Sequence, residues 1–146
     1  MTTEPNKNVI EVWTHLVSAQ HKALSHIEAA LKAANLPALS WYDVLLELDR
    51  VGKDGMRPYE LEQSLLLPQY SLSRLLDRIA AAGYLNRLPC KQDARGQIIT
   101  ITSKGKEIRQ RMWPVYEQAI NQSIAKHLTT SETGSLSKLL GKLIES

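Results

Sequence analysis

The stretch that most constrains the fold of this chain is residues 85–105, LNRLPCKQDARGQIITITSKG. It contains two short β-type runs, Leu85–Leu88 and Gln97–Thr102, on either side of a polar tip. The second run alternates isoleucine with threonine, which is the period of a strand with one buried face. These features predict a β-hairpin with a charged tip.

The residues immediately before the hairpin, 68–84, predict an amphipathic helix. Apolar side chains recur at helical spacing from Leu72 to Ile79, and polar side chains occupy the opposite face. Pro68 is expected at the start of this helix and Gly83 at its end. A helix followed by such a hairpin is typical of a winged helix-turn-helix, in which the helix is the recognition helix and the hairpin is the wing.

Positive charge is concentrated on this helix and hairpin. The chain of 146 residues has a formal net charge of +3. Residues 68–111 contain nine Lys/Arg and three Asp/Glu, a net of +6, whereas residues 1–67 have six and nine, a net of −3. A basic helix and wing suit a polyanion. The distribution favours DNA as a partner, and a solvated basic surface is the alternative.

The remaining elements are predicted from apolar periodicity, proline positions and capping residues. The predicted helices span residues 9–34, 41 to about 49, 58–67, 103 to about 126 and 130–143, with a short strand at Met56–Arg57 that pairs with the wing. Ser40, with Asp43 three residues later, is predicted to cap the second helix. Thr102 is predicted to cap the fifth, and Thr129 with Glu132 forms a predicted capping box for the last.

We therefore predict a single domain, residues 1–146, that is mainly α-helical with a small β-hairpin wing. The winged helix-turn-helix occupies about residues 38–103. The helices of about residues 8–34 and 104–146 carry much apolar surface at both ends of the chain. A second copy of the chain would cover that surface, which predicts a homodimer. Packing of these helices on their own domain is the alternative.

Composition and motifs exclude several other classes of protein. Cys90 is the only cysteine, so no internal disulfide forms. Residues 4–7, EPNK, precede any apolar run, and no apolar run approaches the roughly 18 residues of a membrane span. We expect a cytoplasmic protein. The sequence has no glycine-rich phosphate loop, nucleophile elbow or metal-ligand spacing, so no enzyme activity, cofactor or metal site is predicted.

The residues described so far resemble the MarR family of winged helix-turn-helix transcription regulators. The motifs that carry the resemblance are RLLDR at 74–78, GYLxR at 83–87, DxR at 93–95 and TxxG at 102–105. Two positions depart from the family pattern. Ile101 stands where leucine is usual, and Ala94 stands where a second basic residue is frequent. The substitution at 94 implies a weaker grip of the wing tip on phosphate.

The resemblance implies a homodimer that binds a pseudo-palindromic operator, usually as a repressor. In the family, a small aromatic or anionic ligand, or oxidation of a cysteine, commonly releases the DNA. The oxidation sensors usually carry their cysteine in the first helix, where this chain has none, so a redox-sensing and an inert Cys90 remain alternatives. A winged-helix module that binds proteins and has no operator is the alternative to a DNA-binding regulator.

The start of the recognition helix is predicted to enter the major groove, with the wing beside it. The predicted DNA-contacting side chains are Gln69, Tyr70, Ser71, Ser73, Arg74, Arg87, Lys91 and Arg95. Arg95 is suited to a narrow minor groove. Phosphate repels Asp93, which is therefore predicted to brace the wing by bonding tip amides, Arg95 or Arg87. For Lys91, a surface lysine without a DNA contact is the alternative.

A ligand pocket is predicted between the first, second and fifth helices, near the junction where effectors of the family bind. The predicted lining residues are Trp13, Trp41, Tyr42, Met112, Trp113 and Tyr116. Aromatic residues at helical spacing also fit an ordinary hydrophobic core, which is the alternative.

Overall fold

The computed structural model describes residues 6–90 and 93–145, with the backbone alone at residues 90 and 93–95. The main elements of this part of the chain are six α-helices and one antiparallel hairpin. The elements are α1 (Lys7–Ala33), α2 (Leu39–Val51), α3 (Pro58–Ser64), α4 (Leu72–Ala81), β1 (Leu85–Cys90), β2 (Asp93–Ile101), α5 (Ser103–Ile120) and α6 (Thr130–Ile144). The predicted fold class, mainly helical with a hairpin wing, is confirmed. None of the helices in the described ranges is both long and apolar enough to cross a bilayer.

The chain divides into two compact units. The central unit comprises residues 31–115, and the terminal unit comprises residues 1–30 and 116–146. The core of the central unit consists mostly of aliphatic and sulfur-containing side chains, with Tyr42 as its buried aromatic residue; the chain has no phenylalanine. Its fully buried large side chains are Leu31, Val44, Leu45, Leu48, Leu61, Ile79, Ile99 and Met112. Helices α2, α3 and α4 and strand β2 all contribute to this core, which fixes the recognition helix and the base of the wing.

The terminal unit leaves much of its apolar surface exposed. Its exposed large apolar side chains are Val9, Ile10, Val12, Trp13, Val17, Ile124, Leu136, Leu139, Leu143 and Ile144.

The predicted capping box at the start of α6 is present. The Glu132 amide donates to Thr129 Oγ1 at 3.1 Å, and the Thr129 amide donates to Glu132 Oε1 at 2.9 Å.

The recognition helix, α4, begins four residues later than predicted. The prediction placed its start at Pro68, but the first helical residue is Leu72. Ser71 has non-helical dihedral angles (φ −140°, ψ 87°), and its Oγ accepts a hydrogen bond from the Arg74 amide at 3.4 Å. Ser71 is therefore the N-cap. Residues 69–71, which the sequence placed in the helix, lie in the turn before it.

The start of α2 also differs from the prediction. The helix begins at Leu39, its N-cap is Ala38, and no side chain caps it. Ser40 lies inside the helix instead of capping it. Asp43, which was assigned to the cap, has only 6% of its surface exposed and points into the central unit. The carboxylate forms long-range hydrogen bonds there, which outweigh the local cap.

Two helices end earlier than predicted. α3 ends at Ser64, because Leu65 adopts an extended conformation (φ −67°, ψ 138°). α5 ends at Ile120 and continues as a π-helical segment, Asn121–Ala125. In that segment the Lys126 amide donates to the Asn121 carbonyl at 3.0 Å, which spans one residue more than an α-helical bond.

The hairpin is longer than predicted and is anchored at its base. Residues 85–89 pair one-to-one with residues 97–101, and an irregularity after Pro89 places Cys90 opposite Asp93. The predicted pairing of the segment before α3 with the wing is confirmed as an isolated bridge. The Met56 amide donates to the Ile99 carbonyl at 3.0 Å, and the Ile99 amide donates to the Met56 carbonyl at 2.8 Å.

Candidate nucleic-acid interface

Helix α4 separates its apolar and polar side chains onto opposite faces. Leu75, Leu76 and Ile79 are buried in the central unit. Ser73, Arg74, Asp77 and Arg78 are exposed. Arg74 and Arg78 are four residues apart and therefore lie on the same side of the helix. The helix presents a polar, cationic surface to solvent from a rigidly packed position.

The turn that precedes α4 continues this surface. Tyr70 is fully exposed, and Ser71 is exposed where it caps the helix. Gln69 is partly buried, and its Nε2 lies 3.5 Å from the Leu67 carbonyl oxygen. The structure thus places the three predicted contacts in the turn directly beside the first helical residues, where Ser73 and Arg74 are found.

A buried carboxylate holds this turn in place. Asp43 of α2 accepts two backbone hydrogen bonds, from the Leu66 amide to Oδ1 at 3.1 Å and from the Leu67 amide to Oδ2 at 2.9 Å. Hydrogen bonds to an ionised acceptor are stronger than neutral ones. Asp43 therefore fixes the path of the chain between α3 and α4, and through it the position at which the recognition helix starts.

Arg87 of β1 connects the wing to the recognition helix. Its Nη1 forms an ion pair with Asp77 Oδ1 at 2.6 Å, and its Nη2 donates to the Ser73 carbonyl at 3.3 Å. The Arg87 Nε is buried and has no partner in the described part of the chain. In this structure the guanidinium serves as a link between two elements of the interface. Its predicted contact with phosphate stays a prediction.

Two residues of the family motif, Thr102 and Gly105, hold the other end of α4 against α5. Thr102 Oγ1 donates to the Gly83 carbonyl at 2.7 Å and accepts from the Gly105 amide at 3.0 Å, so Thr102 caps α5 as predicted. A Cβ at position 105 would collide with the backbone carbonyl of Tyr84. The threonine and glycine of the motif thus have a structural role at the junction of recognition helix, wing and α5.

Several predicted wing residues lie beyond the reach of the structure. Lys91 is outside the described residues, as are the side chains of Cys90, Asp93 and Arg95. The backbone places Arg95 within β2, and not in the loop as predicted. The predicted roles of these four residues, including the redox alternative for Cys90, stay predictions.

Most of the cations near α4 and the wing are available to an anionic partner. The exposed cationic residues described in the basic region are Arg74, Arg78, Lys104, Lys106 and Arg111. Arg109 is different, because its guanidinium pairs with Asp49, with Nη2 at 2.6 Å and Nε at 2.8 Å from Oδ2. Arg78 was not among the predicted contacts. Its spacing of four residues from Arg74 was the signal that would have included it.

The aromatic residues of the predicted ligand pocket divide between the two units. Trp41, Tyr42, Met112 and Trp113 belong to the central unit, and Trp13 and Tyr116 belong to the terminal unit. Met112 is fully buried, and the rings of Tyr42 and Trp113 stack with centroids 6.2 Å apart. Trp41 meets the Tyr84 ring edge to face at 5.9 Å. Tyr42 and Met112 are thus part of the core, whereas Trp41 is partly buried and Trp113 is 42% exposed. The pocket stays a prediction.

Possible metal ligands do not cluster in the described residues. No group of three His, Cys, Asp or Glu side chains there is arranged to hold a metal ion. Of the four histidines, His26 has a specific polar partner, because its Nε2 lies 2.8 Å from Gln122 Oε1 within the terminal unit.

Comparison with known proteins gives consistent matches. The sequence profile of the MarR family matches residues 35–96. Multiple antibiotic resistance protein MarR of Escherichia coli (strain K12) is 33% identical over 87 residues, which are 60% of the present chain and 60% of that protein. The chain therefore matches about three fifths of the length of this curated relative.

Solved structures match over nearly the full length. Sco3205, a MarR family transcriptional regulator from Streptomyces coelicolor in complex with DNA, has a TM-score of 0.83 and 23% identity, covering 97% of this chain and 92% of that chain. A cysteine-to-serine mutant of MarR from E. coli complexed with operator DNA has a TM-score of 0.80 and 24% identity, covering 97% of this chain and 99% of that chain. These likenesses establish the fold.

Proposed function

Because the chain belongs to the MarR family, we propose that it is a sequence-specific DNA-binding transcription regulator that acts as a repressor on a pseudo-palindromic operator. The observation that best supports this is the surface of α4. Its apolar face is buried, its N-terminus is capped by Ser71, and its exposed face carries Ser73, Arg74 and Arg78 beside the wing. Recognition helices dock in the major groove with their first residues against the bases.

The roles of individual residues follow from their chemistry and position. Arg74 is suited to guanine, whose O6 and N7 accept a bidentate pair of hydrogen bonds, and Gln69 is suited to adenine. The hydroxyls of Tyr70 and Ser71 suit phosphate oxygens. Arg95 would enter the minor groove beside each half-site. We also propose that the protein is cytoplasmic and that a small aromatic or anionic effector releases the DNA.

The Arg74→Ala variant tests the proposed groove contact. We expect binding to the preferred DNA to weaken by about 1–3 kcal/mol per site, with a relaxed preference at one base pair, because a base contact is lost. Fluorescence anisotropy on labelled DNA from upstream of the protein's own gene would measure this, with scrambled DNA for comparison. Lys138→Ala removes an equal charge from an exposed site on α6 in the terminal unit and is the matched control.

Two outcomes would contradict the proposal. If Arg74→Ala bound every sequence as tightly as the wild type, α4 would not read the major groove. If the wild-type protein itself failed to distinguish the upstream DNA from the scrambled DNA under any salt condition, the winged-helix protein-interaction module would become the better interpretation.

We further propose that the regulator is a homodimer joined through its terminal unit, where large apolar side chains are exposed on α1 and α6. Sedimentation at micromolar concentration should give about twice the chain mass of 16.4 kDa. Leu139→Glu places a charge in the exposed apolar surface of α6 and should yield monomers. Leu66→Glu alters an exposed leucine of the central unit and should leave the dimer intact. Monomers in both variants, or dimers in both, would refute this interface.

A further inference from the structure

An open cleft lies within the terminal unit, between α1 and the π-helical segment that follows α5. Its volume is about 550 Å³, a size typical of small-molecule sites. The residues that line it are Lys22, Ala23, His26, Gln122, Ser123, Lys126 and His127. Residues 22, 23 and 26 lie on one side of α1, and residues 122, 123, 126 and 127 lie in and just after the π-helical segment. Within each group the residues are one and four positions apart, which places them on the same face.

The charge of the lining has one sign. Lys22 and Lys126 are cationic, His26 and His127 are basic, and the lining contains no aspartate or glutamate. Neither lysine forms an ion pair with any residue that the structure describes. Elsewhere in the protein, the Arg109 and Arg87 guanidinium groups are each matched by a carboxylate. Uncompensated cations gathered around a concave surface attract a negatively charged ligand.

Two polar side chains that line the cleft, His26 and Gln122, hold each other in place. The hydrogen bond from His26 to Gln122, at 2.8 Å, fixes both side chains across the cleft. Ser123 Oγ is buried and has no hydrogen-bond partner in the described residues. A buried hydroxyl without a partner is unusual. Because this oxygen is closed off from solvent, it lies behind the wall of the open cleft and does not contact its contents. Ser123 belongs to the π-helical segment, and such segments occur frequently at functional sites.

We propose that this cleft binds a small organic anion with a carboxylate or phosphate group. Lys22 and Lys126 neutralise the anionic group, and His26 and His127 form the sides of the site. The site lies entirely within the terminal unit and uses no residue of the proposed DNA surface. The site therefore does not depend on the proposed DNA binding, and it is separate from the predicted aromatic pocket.

Histidine-detected NMR on the full chain tests this site directly. The probes are pyrophosphate and citrate, each titrated against sodium chloride at matched ionic strength. We expect the ring resonances of His26 and His127 to shift and saturate at one anion per chain. His15 and His21 are exposed on the same helix, α1, and should stay unchanged, which makes them internal controls. Preference for one probe over the other identifies a phosphate or a carboxylate ligand.

Variants separate specific binding from general charge attraction. Lys126→Ala should weaken binding about tenfold, as expected for the loss of one charge-assisted hydrogen bond at a partly exposed site. Lys32→Ala removes an exposed cation of α1 that does not line the cleft and should have no effect. The proposal is overturned if neither probe gives saturating shifts, if all four histidines respond alike, or if Lys32→Ala weakens binding as much as Lys126→Ala. Absence of shifts would instead favour a second copy of the chain covering this face.

Discussion

Replacing Gly105 by alanine is expected to lower the free energy of unfolding by about 2–4 kcal/mol, or the Tm by roughly 10 °C. A Cβ at this position would collide with the Tyr84 carbonyl oxygen, and it would also lie 2.9 Å from Ile101 Cγ1 and 3.0 Å from the Tyr84 carbonyl carbon. Backbone atoms on this side cannot rotate away as a flexible side chain can. The strain would fall on the junction that Thr102 ties together, where the recognition helix, the wing and α5 meet.

Gly134→Ala is the matched control for this prediction. Gly134 lies within α6, and a Cβ there would meet nothing within 4 Å. The same substitution should raise the free energy of unfolding by up to about 1 kcal/mol, because alanine favours a helix more than glycine does. Thermal unfolding followed by circular dichroism would measure both. If Gly105→Ala were as stable as the wild type, the close packing of α5 against Tyr84 would be wrong.

Replacing Asp43 by alanine is expected to lower stability by about 2–4 kcal/mol and to weaken DNA binding by about tenfold or more. The substitution leaves the amides of Leu66 and Leu67 without their carboxylate acceptor. The turn between α3 and α4 would then lose the interaction that fixes it to α2. Asp43→Asn keeps one acceptor oxygen but presents an NH₂ group to the second amide, so its effects should be intermediate.

The DNA measurement distinguishes positioning from stability alone. It is made at a temperature at which circular dichroism shows each variant to be fully folded. Asp54→Ala removes an exposed carboxylate from the turn after α2 and should change neither property by more than about 0.5 kcal/mol. An Asp43→Ala protein that is less stable yet binds DNA as the wild type does would show that Asp43 supports the core and does not position α4.

Local signals in the sequence predicted much of this fold. The capping box of Thr129 and Glu132, the cap at Thr102 and the alternating strand before it depend on residues close together in the chain, and all three are present. The pairing of Met56 with the wing was also predicted, although it joins distant segments. The periodic apolar positions of α4 gave its buried face correctly, because burial of that face follows directly from helical geometry.

The errors have a common physical origin in long-range contacts. Asp43 reads locally as part of a cap, but its partners are 23 and 24 residues away. The late start of α4 follows from the same contacts, since Pro68 would have been acceptable in a first helical turn. The ion pair between Arg87 and Asp77 likewise joins two elements whose relative placement no local pattern specifies. The positions of site residues were thus harder to predict than the helices that carry them.

The bridge between Met56 and Ile99 holds strand β2 of the wing against the segment before α3, whereas Arg87 ties strand β1 to α4. The bridge depends on Gly55, whose φ is +68° and whose missing side chain leaves room for the Ile99 carbonyl, 2.6 Å from where a Cβ would lie. Beyond the bridge, β2 continues toward Arg95. The position of β2 therefore depends on a segment some 40 residues earlier in the chain. We expect a side chain at position 55 to shift the wing, although Gly55 is not one of the proposed DNA contacts.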